Sequence, residues 1–277
     1  LGLALYTALF SSCVYEDLSK CSRMFMLQPR YLLHTGEGDR FGEAVHHIDV
    51  YAFDSLGIYR KMFRDKGAHL KNGYRMPIDL PEGKWTFLCL GGKVGDYEIG
   101  IFKTGIPQQF SPAVSPGITT LSDFRVKAYF EQKENLEYSL GELFFGRLDS
   151  VEITADNGGT GVVDLMKNTN KIEVRVKGIA DGSSARITSD NGRFNSENVT
   201  PADAGTIIYV PYYSASQTDD TRVFQFDVLR LYTDGHLFLK LLNPDGTDVI
   251  PGFTKDLINA IMSSPAYHTQ EDLDRED

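Results

Sequence analysis

Apolar and polar residues alternate with a period of two through much of this chain. Phe124, Val126, Ala128 and Phe130 alternate with Arg125, Lys127 and Tyr129, and Ile172, Val174 and Val176 with Glu173, Arg175 and Lys177. Phe224, Phe226 and Val228 alternate with Gln225 and Asp227 in the same way. Successive side chains of a strand point to opposite faces, so each run predicts a strand with one wet face. Trp85 to Leu90 is apolar almost throughout, which predicts a strand covered on both faces. Pro81-Glu82-Gly83 supplies a turn just before it. Asp234-Gly235 precedes Leu237, Leu239 and Leu241 and predicts a tight hairpin, because the primed turn needs positive φ. Helical spacing is confined to Phe253, Leu257, Ile258 and Ile261 after Pro251-Gly252, with Thr254 as the expected cap. Many short strands and one short helix near the C-terminus predict an all-β chain built from sandwiches.

A length of 277 residues fits two domains of ordinary size. The Gly-rich stretch 156–161 predicts their boundary, giving an N-terminal β-sandwich over 13–155 and a C-terminal one over 156–277. The Ser/Asn/Gly-rich segment from Gly182 to Asn198 reads as a long loop, and the charged run Glu271 to Asp277 as a solvated tail. With 42% hydrophobic and 12% aromatic residues the chain can fill real cores, which excludes disorder as a class. A net charge of −10 and no Lys/Arg-dense segment exclude nucleic acid as a partner.

The first ten residues, Leu1 to Phe10, carry no charge. They are too few to span a bilayer, which takes about 20 helical residues. They match the apolar core of a signal peptide whose start is missing, and a buried first strand or helix is the alternative. The run ends in Phe10-Ser11-Ser12-Cys13, the shape of a lipobox, with Phe10 where Leu is usual. Residues 1–12 are therefore expected to be removed and Cys13 to carry lipid. Two or more acyl chains give stable anchoring where one does not. With Cys13 acylated, Cys21 and Cys89 are the two thiols left. In an oxidising compartment they form a candidate disulfide, two separately buried thiols being the alternative.

Cys13-Val14-Tyr15-Glu16-Asp17-Leu18-Ser19-Lys20-Cys21 resembles the segment after the lipobox in the fimbrillin anchor family of Bacteroidales, the minor-fimbria anchor subunits. The resemblance continues through Val45–Asp54, a long strand ending in an Asp-containing hairpin, and through Leu80–Phe87, Glu142–Gly146 and Lys167–Ile172. It implies two transthyretin-like β-sandwich domains in tandem at the base of a fimbrium. It also implies a surface-exposed lipoprotein of the outer membrane, with a stalk fimbrillin subunit as partner through β-strand exchange. Family members continue with a final strand pair containing a Trp. Its absence after Asp277 leaves either a fragment or a second sandwich with an unpaired edge. Asp54-Ser55-Leu56 and Asp149-Ser150-Val151 resemble the Bacteroidales O-glycosylation sequon, which makes Ser55 and Ser150 candidate sugar acceptors.

Catalytic and metal chemistry finds little support. His46-His47 would point to opposite faces of a strand and cannot easily share an ion. Gly36-Glu37-Gly38 and Gly158–Gly161 lack the ending of a phosphate loop, and Asn243–Asp248 lacks the spaced acidic ligands of a calcium loop. No nucleophile elbow, zinc-protease pair or redox Cys-x-x-Cys occurs. The expectation is no enzyme, no metal, no cofactor and no small-molecule substrate. The main reading is an anchor that starts or ends a stalk. The alternatives are a lipid-anchored module binding glycan or host ligand, with Tyr209, Tyr212 and Tyr213 as its aromatic cluster, or a tip or accessory subunit.

Overall fold

The computed structural model describes residues 24–32, 38–103, 109–128, 135–136, 139–154, 158–216 and 220–275. The first strands are β1 (Phe25–Arg30), β2 (His47–Phe53), β3 (Tyr59–Lys66), β4 (Met76–Ile78), β5 (Gly83–Gly92), β6 (Tyr97–Lys103) and β7 (Gln109–Ser111). β8 (Phe124–Ala128), β9 (Asn135–Leu136), β10 (Leu143–Ile153), β11 (Thr160–Asp164), β12 (Met166–Lys167) and β13 (Thr169–Lys177) follow. The last are β14 (Ser184–Ser189), β15 (Arg193–Asn195), β16 (Ile207–Tyr209), β17 (Tyr213–Ser216), β18 (Thr221–Leu229), β19 (Leu237–Leu242) and β20 (Lys255–Asp256). Three short helices accompany them: α1 (Phe41–Ala44), α2 (Leu257–Met262) and α3 (Gln270–Leu273). The chain is all-β, as its periodicity predicts.

The central layer of the N-terminal half is the five-stranded sheet β12-β10-β5-β2-β3. Its middle strand β5 explains the unbroken apolar run from Trp85 to Leu90. Trp85, Phe87 and Cys89 join one core with Ile48, Val50, Phe144 and the strand residues Phe25 and Leu27. Leu88 and Leu90 join another with Tyr51, Phe53, Phe124 and Val126. The three-stranded sheet β11-β1-β4 covers the first face, and the four-stranded sheet β15-β8-β6-β7 covers the second. Aromatic rings lock the second interface, with Tyr51 edge-on to Phe124 at 5.3 Å and Phe145 edge-on to Phe194 at 5.7 Å.

The C-terminal half pairs the sheet β13-β18-β17 with the sheet β20-β19-β14-β16-β9. Phe224, Phe226 and Val228 meet Ile187, Ile207 and Tyr209 between them. The halves are interleaved in sequence. β11 starts within the expected boundary at 156–161 and β12 follows it, yet they pair with β1 and β10 of the first half. β8 and β9 precede it, yet they pair with β15 and β16. Strand pairing changes partners at Asn168, between β12 and β13. That residue is buried and donates its backbone N–H to the Leu143 carbonyl at 2.6 Å and its side-chain amide to Asn198.

Several local expectations need correction. Asp234-Gly235 does not close a hairpin: β18 and β19 belong to facing sheets, because both edges of β18 are already taken by β13 and β17. The segment 182–198 is not one long loop but holds β14 and β15, with Ala185, Ile187 and Ser189 buried at alternate positions. The cap of α2 is Asp256 rather than Thr254: its carboxylate accepts the N–H groups of Ile258 and Asn259. A second C-terminal helix, α3, is closed by a capping box between Thr269 and Asp272.

The charged C-terminal run is likewise not a solvated tail. Leu273 is buried, and the carboxylate of Asp274 receives Nε and Nη2 of Arg230 at 2.7 and 2.6 Å, the two side chains being 4% and 11% exposed. Arg230 also donates from Nη1 to the Asn198 carbonyl, and its backbone N–H goes to Asn168. The tail therefore fastens onto the junction where the two halves meet.

Candidate functional site: first strand and strand edges

The expected attachment residue Cys13 and its neighbour Cys21 lie outside the described residues. The described chain begins at Met24 and runs directly into β1. That strand is the middle of its sheet, parallel to β11 from Met26 to Arg30 and antiparallel to β4. Met26 N–H donates to the Gly159 carbonyl, and Phe25 stacks on Phe87 with ring centroids 6.0 Å apart. Whatever precedes residue 24 is thus joined to a strand bonded on both sides. Cys89, two residues from Phe87, is fully buried and has no disulfide partner among the described residues. Burial pushes its thiol well above the ordinary range.

Among the described residues, two long strands lie at sheet edges. β13, nine residues, closes one side of its sheet, and β3, eight residues, closes one side of the central sheet. The outward side chains of β13 are Lys171, Glu173, Arg175 and Lys177, each exposed. Glu173 is hydrogen-bonded by Gln225 and Arg175, which hold its carboxyl below the usual range. At its start, Asn170 donates to the Leu273 carbonyl, so α3 lies against the first residues of this edge. The edge β3 is guarded by charge (Arg60, Lys61, Arg64, Asp65 and Lys66) and by the segment 117–121, which pairs with its first residues.

A groove of about 890 Å³ runs between the end of the central sheet and β13. His46, His47, Lys66, Lys93, Glu142 and Lys171 contribute to its walls. His47 Nε2 lies 2.9 Å from the buried carboxylate of Asp49, which also receives Arg64 through two bonds of 2.6 Å. The imidazole is thus spent on an ion cluster within the sheet. Among the described residues no three His, Cys, Asp or Glu side chains converge to hold a metal. Behind the groove, buried Asp227 accepts from Ser139 Oγ at 2.5 Å. Burial pushes its carboxyl up, against the pull of Ser139 and Lys171.

The remaining candidates separate. Ser55 is exposed in the β2–β3 turn. Ser150 is exposed at a bulge in β10 with φ +57°, where the register against β5 shifts. Of the tyrosine cluster, Tyr209 is fully buried and bonded to Asn191, while Tyr212 and Tyr213, at the start of β17, are exposed. Ser55 and exposed Leu56 lie in the hairpin expected after Asp54, whereas the 115–119 turn bonded beside it, which holds Ile118 in solvent, carries no signal in the periodicity. No helix among the described residues is long and apolar enough to cross a membrane.

A family model for the fimbrillin-A associated anchor proteins Mfa1 and Mfa2 matches residues 18–277. Among solved structures, the chain is similar to the fimbrial anchor protein Mfa2 of Porphyromonas gingivalis. The identity is 19%, over 91% of this chain and 88% of that one, with a TM-score of 0.72. It is similar also to a candidate polysaccharide-binding protein of Bacteroides thetaiotaomicron, at 23% identity, 91% and 88% coverage and a TM-score of 0.76. A candidate adhesin of Bacteroides ovatus follows, at 22%, 91% and 86%, with a TM-score of 0.73. At these identities the structural likeness speaks for the fold. No curated protein matches the sequence. The family match extends over nearly the whole chain, so this protein belongs to the fimbrillin-A associated anchor protein family.

Proposed function

We propose that the protein is an outer-membrane lipoprotein, acylated on Cys13 after removal of residues 1–12, that holds a fimbrium on the cell surface. It starts or ends the stalk by β-strand exchange with a stalk fimbrillin subunit. The observation that carries this reading is the anchor-family match along residues 18–277. The lipobox-shaped Phe10-Ser11-Ser12-Cys13 stands just upstream of it. An edge strand that accepts a partner strand gains a full row of backbone hydrogen bonds. β13 is the longest edge strand among the described residues, and it is the edge assigned here to the stalk. Cys21 pairs with Cys89 in this reading, and Ser150 is open to a sugar.

The test is a Cys13→Ala strain. Fimbriae should be shed into the medium while the protein still folds, and wild-type protein extracted from membranes should show an acylated Cys13 by mass spectrometry. Cell-bound fimbriae of normal length in that strain would overturn the anchor role. Exposed Tyr212 and Tyr213 favour a second reading, a lipid-anchored module that binds a glycan. In that case Tyr212→Ala/Tyr213→Ala would abolish adhesion and leave fimbriae attached.

A further inference from the structure

We infer that the hairpin end of the central sheet is a membrane-docking face: Leu56 and Ile118, held out on two interlocked turns beside the start of β1, seat in the interfacial layer of the bilayer. The inference rests on the proposed acylation of Cys13, which brings this end of the protein to a lipid surface.

The register puts these features together. Phe25 at the start of β1 lies opposite Ile78, and residues 79–82 lead from there into β5 at Gly83. Three residues along β5, Thr86 lies opposite Phe53, the last residue of β2 before the hairpin tip. Asp54, Arg60, Asp79, Pro81 and Trp85 line one shallow depression, which confirms that the tip and the 79–82 connection are neighbours. Met24, itself partly exposed, is on the same side. Cys13 precedes Phe25 by twelve residues, so an extended chain limits the separation of the acyl chains from this end to roughly 40 Å.

Single exposed aliphatic residues are ordinary on any surface. Leu56 at 77% and Ile118 at 72% exposure differ in how they are held. Asp54 Oδ1 accepts the N–H groups of both Leu56 and Ile58, at 2.9 and 3.0 Å, and Gly57 takes φ +71°, which fixes the turn with Leu56 pointing away. The Ile118 turn is closed by its N–H on the Ser115 carbonyl and by Ser115 N–H on Thr119 Oγ1. The two turns are sewn to each other: Tyr59 N–H donates to the Thr119 carbonyl and Leu121 N–H to the Gly57 carbonyl. These bonds fix the backbone of both turns with the two side chains in solvent.

The charges around the tip are paired among themselves, Asp54 with Arg60 at 2.6 Å and Lys61 with Asp79 at 3.4 Å, so the end nears headgroups without an uncompensated charge from these four. The chain as a whole carries −10, which keeps the rest of the body off an anionic leaflet. Two aliphatic side chains hold no protein on a membrane alone. With the tether supplying a high local concentration, they fix its orientation. A glycan on Ser55 would hold Leu56 away from lipid, so the face requires an unmodified Ser55.

The test uses the full chain with residues 1–13 replaced by a hexahistidine tag and with Cys21→Ser. It is tethered to phosphatidylethanolamine/phosphatidylglycerol vesicles carrying a nickel-chelating lipid. An environment-sensitive fluorophore is placed at Leu56→Cys, at Ile118→Cys, or at Asp245→Cys on the exposed β19 turn as control. On tethering, emission at 56 and 118 should shift to the blue and rise, and lipids brominated on their acyl chains should quench it, with no change at 245. Labels at 56 and 118 that behave like the one at 245 would overturn the proposal, as would a glycan on Ser55 in native protein. The tag supplies the tether, so this outcome is independent of whether native Cys13 is acylated. The mass of the native N-terminal peptide decides that separately.

Discussion

Removing the carboxylate of Asp274 isolates the contribution of the C-terminal segment to the fold. In the folded protein Arg230 spends Nε and Nη2 on Asp274, Nη1 on the Asn198 carbonyl, and stacks its guanidinium over Tyr232 at 5.0 Å. Burial pulls the guanidinium's pKa down, but the Asp274 carboxylate outweighs it and the net direction is up, so the side chain stays charged. In Asp274→Ala that charge keeps its buried position and loses two charge-assisted bonds. Breaking a buried pair from one side costs about 3–5 kcal/mol. With a urea dependence of about 2–3 kcal/mol per molar, the unfolding midpoint should fall by about 1–2.5 M. Gln270 also loses an acceptor, so α3 should fray, and its amides should exchange faster. In Arg230→Met/Asp274→Leu both charges leave together, and most of the loss should be recovered. The assay is urea unfolding of the wild type, both single variants and the pair, read as a double-mutant cycle. A single-variant loss below about 1 kcal/mol with no coupling would refute the reasoning. It would return the segment to the solvated tail that its composition suggests.

Asp227→Asn should raise the unfolding midpoint at pH 7 more than at pH 4. The carboxyl's folded pKa lies above its unfolded value, so the folded state holds the extra proton and stability falls as pH rises through that window; the Asn variant removes this slope in a pH series. Gly92→Ala should cost about 2–3 kcal/mol in thermal or urea unfolding, because Gly92 sits at φ +88° and an added Cβ would run into the Glu142 carbonyl. Asp256→Ala should cost about 1 kcal/mol and Thr254→Ala almost nothing, which separates the cap found at α2 from the one expected.

Strands with a clean period were legible because burial on one face imposes it: β8, β13 and β18 lie where the alternation of Phe124, Ile172 and Phe224 puts them. β5 was legible for the opposite reason, since a strand covered on both faces has no polar positions to spare. Pairing was not legible. Asp234-Gly235 marks a turn of the chain, but whether a turn joins neighbours in one sheet or strands of facing sheets depends on which edges are free. β14 was hidden because Ser183 and Ser189, polar by composition, are buried and Ser189 bonds to the His236 carbonyl. The C-terminal run was misread for a similar reason: a single Arg, 44 residues earlier in the chain, converts Asp274 from a surface charge into a buried one. At the hairpin tip of the central sheet, the sequence carries the Asp54 turn, but not that Leu56 and Ile118 are held out on turns bonded to each other.

The placement of β1 bears on how the protein answers to force. Pulled along its axis by whatever lies before Phe25, the strand cannot peel from its sheet one bond at a time. Its hydrogen bonds to β11, over five consecutive register pairs, and to β4, over three, lie across the direction of pull and must shear together. Forced unfolding is governed by the rate of crossing that barrier rather than by equilibrium stability. A strand gripped from both sides and loaded from its N-terminal end is therefore a shear clamp. Its rupture force should exceed that of a protein of equal stability whose loaded strand is an edge strand that opens like a zipper.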